Sequence, residues 1–282
     1  MTVIAQISDL HVGGARHEPA LLDQVLVEIA ELAPDLVVVC GDLTDEGYPD
    51  QYEVVKAALA RLDGLEVVAV PGNHDAKHVG YLHWEAMLGE RETRRRLTVD
   101  GEAVTIVGVD SSKPDIDEGE VGREHYKLIQ EALATPADLR VFVCHHHLLP
   151  IPGTGRERNQ VADAGDVLAL LGANGVDLVL GGHRHVPFAW RIGGLVVAHS
   201  GTAASLRTRR AFPHPAYNVI TVGPESIAVE LRIPGGERQA LATFPRQRPT
   251  QANGCVTPGL PRQGFEWLVD PVRASGRALR SS

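Results

Sequence analysis

The chain has 282 residues, 27 Lys and Arg against 36 Asp and Glu for a net charge of −9, and a hydrophobic fraction of 44%. That balance is ordinary for a globular protein, and the length allows one large core or two modest ones. Three widely spaced cysteines exclude a disulfide framework, no apolar run approaches the ~18 residues that cross a bilayer, and the acidic balance argues against nucleic acid as a partner.

The start, Met1-Thr2-Val3-Ile4-Ala5-Gln6-Ile7-Ser8-Asp9, lacks a basic region and meets a carboxylate early, unlike a secretory signal, so the cytoplasm is the expected location. Val3–Ile7 opens a series of short apolar, β-branched runs that continues at Leu36–Cys40, Leu65–Val70, Val104–Val109, Leu139–Cys144 and Val176–Leu180. Unbroken apolar runs of this length fit strands buried on both faces. Between them lie amphipathic patterns. Pro19–Ala33 carries Leu22, Leu26, Ile29 and Leu32 on one stripe, and Pro49–Leu62 carries Val55, Leu59 and Leu62. Glu124–Ala134 and Asp166–Leu171 are two more, and the alternation predicts an α/β layered core. Val186–Ile192, Leu195–His199, Tyr217–Val222 and Ile227–Ile233 then follow without helices, which predicts a second, largely antiparallel sheet packed on the first.

Residues 1–233 are therefore expected to form the main folded domain, the one that carries whatever site the chain has. From Pro234 to Ser282 the composition turns to Pro, Gly, Arg and Gln. Seven Arg against three acids leave this stretch near +4 and the body near −13. An extended arm is expected there, partly disordered and anchored by Phe265, Trp267 and Leu268 on the body or on a neighbouring copy; the latter would make a homo-oligomer.

Polar residues gather just after the buried runs: Ser8-Asp9-Leu10-His11, Gly41-Asp42-Leu43-Thr44-Asp45, Gly72-Asn73-His74-Asp75, His145-His146-His147 and Gly182-His183-Arg184-His185. Ligands bind at the carboxyl ends of strands in open α/β sheets, so these loops should converge. Convergence would assemble Asp9, His11, Asp42, Asn73, His145, His183 and His185, an oxygen and imidazole shell suited to Fe, Mn, Zn or Co. Seven donors exceed what one ion needs and suit a pair about 3.5–4 Å apart that shares a carboxylate. Such a pair makes hydroxide available at neutral pH for in-line attack on phosphorus and neutralises a phosphoester's charge, which would let an acidic protein accept a small phosphoester substrate.

These five motifs, in their order, resemble those of the calcineurin-like metallophosphoesterases and span residues 9 to 185. The resemblance implies a four-layer αββα sandwich of two mixed sheets flanked by helices, and two transition-metal ions. It further implies that Asp9, His11 and His185 hold the first ion, that Asn73, His145 and His183 hold the second, and that Asp42 bridges them. His74 would stabilise the transition state or protonate the leaving oxygen. Gly41-Asp42-Leu43-Thr44-Asp45-Glu46-Gly47, Asp75 after Asn73-His74, and Asp110-Ser111-Ser112 resemble the bacterial cyclic-nucleotide and glycerophosphodiester phosphodiesterases within that family, implying a phosphodiester hydrolase. The usual His-His-Pro-Pro-Leu stands here as His145-His146-His147-Leu148-Leu149-Pro150.

Asp45 and Asp75 read as helix caps or outer hydrogen-bond acceptors, and Cys40 and Cys144 as buried hydrophobes. Asn73, His146 and Arg207 are the residues expected to meet substrate, with an outer hydrogen-bonding role as His146's alternative. His78 falls near enough to the third motif to line a pocket, whereas Arg94-Arg95-Arg96 reads as solvated surface. Competing readings are a phosphomonoesterase or nucleotidase, a DNA-repair nuclease, and a non-catalytic scaffold with the same fold.

Overall fold

The continuous apolar runs of the sequence form the interior strands of two sheets in the computed structural model, which describes residues 1–154 and 159–246. The strands are β1 (Thr2–Ile7), β2 (Leu36–Cys40), β3 (Val67–Val70), β4 (Thr93–Val99), β5 (Glu102–Gly108), β6 (Leu139–Val143), β7 (Leu178–Gly181), β8 (Phe188–Ile192), β9 (Leu195–His199), β10 (Tyr217–Val222), β11 (Ser226–Arg232) and β12 (Arg238–Pro245). The helices are α1 (Pro19–Leu32), α2 (Pro49–Ala60), α3 (Gly80–Met87), α4 (Arg123–Leu133) and α5 (Ala164–Ala173). None of the described helices is long and apolar enough to cross a membrane.

One sheet runs β12-β11-β10-β1-β2-β3 and the other β4-β5-β6-β7-β9-β8. Both are mixed. In the first, β1, β2 and β3 are parallel and β10 joins β1 antiparallel; in the second, β5, β6, β7 and β9 are parallel between antiparallel edges. Alternation along β2 explains its unbroken apolar run. Leu36, Val38 and Cys40 face the second sheet's Ile106, Val141 and Leu180, while Val37 and Val39 face outward onto helical residues Leu26, Ile29 and Val55. On the other flank Val107, Phe142 and Val179 pack on Ile129 of α4 and Val167 and Leu171 of α5. The result is the four-layer αββα sandwich.

Two expectations need correction, and a third gains a setting. The late strands do not form a sheet of their own: β8 and β9 extend the second sheet, and β10 to β12 extend the first. Arg94, Arg95 and Arg96 are exposed, as expected, and lie in edge strand β4, where their exposure masks the alternation that marks a half-buried strand. The arm does not begin at Pro234, because Arg238–Pro245 pairs along β11 and Arg246 donates Nη2 to Asp138 O at 2.6 Å. Phe265, Trp267 and Leu268 lie outside the described residues. Helix α3 also lacked a sequence signature; it is short, and Trp84, 1% exposed, is its main anchor.

Asp177, immediately before β7, is 8% exposed, and its Oδ2 accepts a hydrogen bond from Arg140 N at 2.8 Å. Burial lifts its carboxyl to about 6, against the pull of that bond and of Arg246 and Arg140. A carboxyl raised above its unfolded value adds stability while protonated and loses it as pH climbs through about 6. Asp177→Asn keeps the acceptor oxygen without the charge. Its advantage over the native chain should vanish below about pH 4 and reach on the order of 1–3 kcal/mol by about pH 7. Denaturant titrations at those two pH values measure it, and equal stability at the higher one would contradict it.

Candidate metal centre

The carboxyl ends of β1, β2, β3, β6 and β7 all point to one rim, and each delivers one of the five polar loops. Beyond the strands the first two loops continue as a ladder, with Asp9 N donating to Gly41 O and His11 N to Asp42 O, both at 2.9 Å. Within the second sheet, the loops after β6 and β7 are joined in the same way, Gly182 N donating to His145 O at 2.9 Å. Beneath the rim, buried Gln6 donates Nε2 from β1 to Gly181 O at 2.9 Å and Ala198 O at 3.0 Å, so one side chain ties the sheets together.

Five of the seven donor residues take left-handed backbone: Asp9 (φ 57°), His11 (49°), Asp42 (54°), His183 (73°) and His185 (56°). Non-glycine residues rarely do so, and such strain clusters at functional sites. The glycines supply clearance. A Cβ on Gly72 would stand 2.3 Å from Asp42 Oδ1, and one on Gly182 would stand 1.8 Å from Ser8 Oγ and 2.6 Å from Asp9 Oδ2.

All seven predicted donors meet there. His11 Nε2 lies 3.1 Å from His185 Nε2, and His185 Nε2 lies 3.1 Å from Asp9 Oδ1. His145 Nε2 lies 3.3 Å from Asp42 Oδ2, and His183 Nδ1 lies 3.2 Å from His145 Nε2 and 3.0 Å from Asn73 Oδ1. Asp9, His11 and His185 form one compact donor group, and His145, His146 and His183 another; Asp9, Asp42 and His145 link them.

Proton placement shows why these atoms fit cations. His11 Nδ1 donates to Asp45 Oδ1 at 3.0 Å, His185 Nδ1 to Arg207 O, and His145 Nδ1 to Cys40 O at 2.6 Å. With those protons assigned, each Nε2 presents a lone pair to its neighbours. Two opposed lone pairs 3.1 Å apart repel, and Asp9 Oδ1 is buried with no hydrogen bond. A cation held at about 2.0–2.2 Å by such atoms brings them to this spacing and turns repulsion into attraction.

The electrostatics agree. Burial would raise Asp42, but His145, His74 and His11 hold it well below the carboxylate range, and His185 and His145 lower Asp9 against the same opposition. Burial pushes His11 down to about 4 and His183 well below its usual value, leaving both neutral. Ionised carboxylates and neutral imidazoles are the state that binds metal. His145 differs: burial opposes its charge, yet Asp42 raises it to about 9, so at this position a proton and a cation compete.

His74 stands at the rim, Nδ1 2.6 Å from Asp45 O and Nε2 3.1 Å from Arg207 Nη1. Arg207 is exposed and therefore open to a ligand. His146 is fully buried, Nδ1 against Ser111 Oγ at 2.9 Å, among the metal-side imidazoles; its position fits the outer role and not substrate contact. Asp45 spans His11 and His74. Asp75 accepts from Leu43 N, Thr44 N and Gly72 N, pinning the second loop to the third. His78 stacks on Tyr48 and is half exposed, with Glu46 at 3.4 Å, outside the donor cluster. Sequence reasoning missed Gln6, Ser8, Asp117 and Thr202. Asp117 accepts from Asn73 Nδ2 at 3.3 Å, and Thr202 donates Oγ1 to Asp9 O at 2.6 Å. Asp117 and Thr202 sit far from the motifs in sequence, whereas Gln6 and Ser8 adjoin the first of them; none carries a signal of its supporting role.

The sequence model of the family described as calcineurin-like phosphoesterase matches residues 2–187. A cAMP/cGMP dual specificity phosphodiesterase of Mycobacterium tuberculosis is 29% identical over 266 residues, 86% of this chain and 82% of that protein. A probable glycerophosphodiester phosphodiesterase of Arcobacter nitrofigilis is 26% identical over 155 residues, 51% of this chain and 56% of its own length. Among solved structures, a dimetal phosphatase from Danio rerio shares the fold with a TM-score of 0.66 at 12% identity, covering 87% of this chain and 99% of that one.

Proposed function

The chain belongs to the calcineurin-like phosphoesterase family, and on that premise we propose that it is a two-metal phosphodiesterase acting on small phosphodiesters, cyclic nucleotides among them. The observation that carries this reading is the pair of adjoining donor groups, with lone pairs directed at one another, joined through Asp42. Asp9, His11 and His185 would hold one ion, Asn73, His145 and His183 the other, and Asp42 both. Bound there, the ions supply a nucleophile at neutral pH and neutralise charge on the phosphoryl oxygens.

The chain's own side chains supply the rest. Arg207 can only donate, so its contact at 3.1 Å requires a lone pair on His74 Nε2 and places the ring proton on Nδ1, which donates to Asp45 O. Burial lowers His74's affinity for a second proton, but Asp42's charge and Asp45's hydrogen bonds outweigh it and raise the imidazole. When Arg207 turns to a phosphate oxygen, Nε2 is released, takes a proton from solvent water and passes it to the departing alkoxide. Asp45 holds both imidazoles in register meanwhile.

Metal content and turnover measured on one sample test the reading, with cyclic nucleotides, glycerophosphodiesters and matched aryl mono- and diesters as substrates and Mn added. Diesters should be preferred. Asn73→Ala and His145→Ala should each lose metal and nearly all diester turnover. Preference for the monoester would favour a nucleotidase, and a stable protein that binds no cation would leave a scaffold.

A further inference from the structure

A cleft of about 410 Å³ opens beside the proposed ion site, lined by His11 and Asp45 together with Arg16, Arg207 and Arg209. The arginine wall is built from two segments fastened together. Leu206 N donates to Arg16 O at 2.8 Å, Glu18 N donates to Ala204 O at 2.9 Å, and His17 bridges Ser205.

Among the described residues that line it, charge in this cleft is unbalanced. Asp45 is the acid among them, and that carboxylate is already engaged by His11 at 3.0 Å, His74 at 3.4 Å and Arg207 at 3.5 Å. Among the described residues neither Arg16 nor Arg209 has a carboxylate within ion-pair distance. Arg184 lies close enough to act on Arg209, and its own Nε is buried without a hydrogen bond. Burial and the like charges of Arg184 and Arg207 lower the Arg209 guanidinium below its usual value. Clustered cations repel one another, and an anion that pairs with several of them relieves that cost.

One phosphodiester group bears a single negative charge. Two metal ions and Arg207 suffice for it, which leaves Arg16 and Arg209 in excess. On the phosphodiesterase reading above, we propose that the preferred substrate is a phosphodiester carrying a second phosphate group, which Arg16 and Arg209 grip in this cleft. Guanidinium forks match phosphate oxygens two at a time, and selection of a doubly charged ligand is what such a pair adds.

Two substrates differing by one phosphate test this: thymidine 5′-(p-nitrophenyl phosphate) and its 3′-phosphorylated counterpart, both releasing p-nitrophenolate. The 3′-phosphate should lower KM on the order of tenfold, with kcat changed little. In the Arg16→Gln/Arg209→Gln double variant the two KM values should converge. Equal KM values in the native protein overturn the proposal and leave the phosphodiesterase reading standing. Calorimetric binding of thymidine 3′,5′-bisphosphate against thymidine 5′-phosphate supplies a second readout independent of turnover. If neither ester is hydrolysed, the phosphodiesterase reading fails; a bisphosphate preference lost in the double variant still supports the arginine cleft, and its absence overturns it.

Discussion

Asp42→Asn should leave the sandwich folded and cut aryl-diester turnover on the order of 10³-fold or more, beyond the ~10–100-fold that loss of a ligand's outer partner costs. Asp42 faces both donor groups. Its Oδ2 lies 3.3 Å from His145 Nε2 and 3.8 Å from His11 Nε2, and Oδ1 accepts His74 N at 2.8 Å. An amide can keep the last contact and one lone pair, but it cannot offer two anionic oxygens to two cations. Removal of the charge also takes away what raises His145 and His74. Metal analysis should fall from two equivalents to one at most. A variant that kept both equivalents and a tenth of native turnover would contradict the bridging role.

His74→Ala should produce a loss that depends on the leaving group. With an alkyl leaving group, whose alkoxide needs a proton, the fall should reach about 10²–10⁴-fold, the usual range for a positioned acid. With p-nitrophenyl, which departs readily as the anion, it should be far smaller. The backbone bond from residue 74 to Asp42 survives the substitution, so metal content should hold. Equal losses on both substrates would instead mean that the imidazole only orients Arg207 and Asp45.

Most of the sandwich was legible because its interior strands are buried on both faces, so Leu36–Cys40 announces itself as one apolar block. Edges were harder. The arginines of β4 and the exposed half of β12 carry no apolar alternation, since solvent and not a second layer meets them. The late strands were recognised, but their distribution between two sheets depends on crossovers that no local pattern encodes. The donors were legible because each follows a strand within a few residues. Their supports were not: Gln6 reads as a polar interruption in β1, and its value appears only when Gly181 and Ala198 are known to lie 2.9 and 3.0 Å away. Arg16 and Arg209 likewise become partners only through the pairing of their segments.

The ligand set proposed for each ion draws on both halves of the sandwich: Asp9, His11, Asp42 and Asn73 come from loops of the first sheet, His145, His183 and His185 from loops of the second. The centre therefore sits astride a seam, and cations bound there would act as rivets across it, in line with the Gln6 cross-tie below. Sliding of one half over the other would pull both sets of ligands out of register together. Substitutions deep in the shared interior, at Val38 or Val141 for instance, could then surface as weakened metal affinity at a rim they never touch.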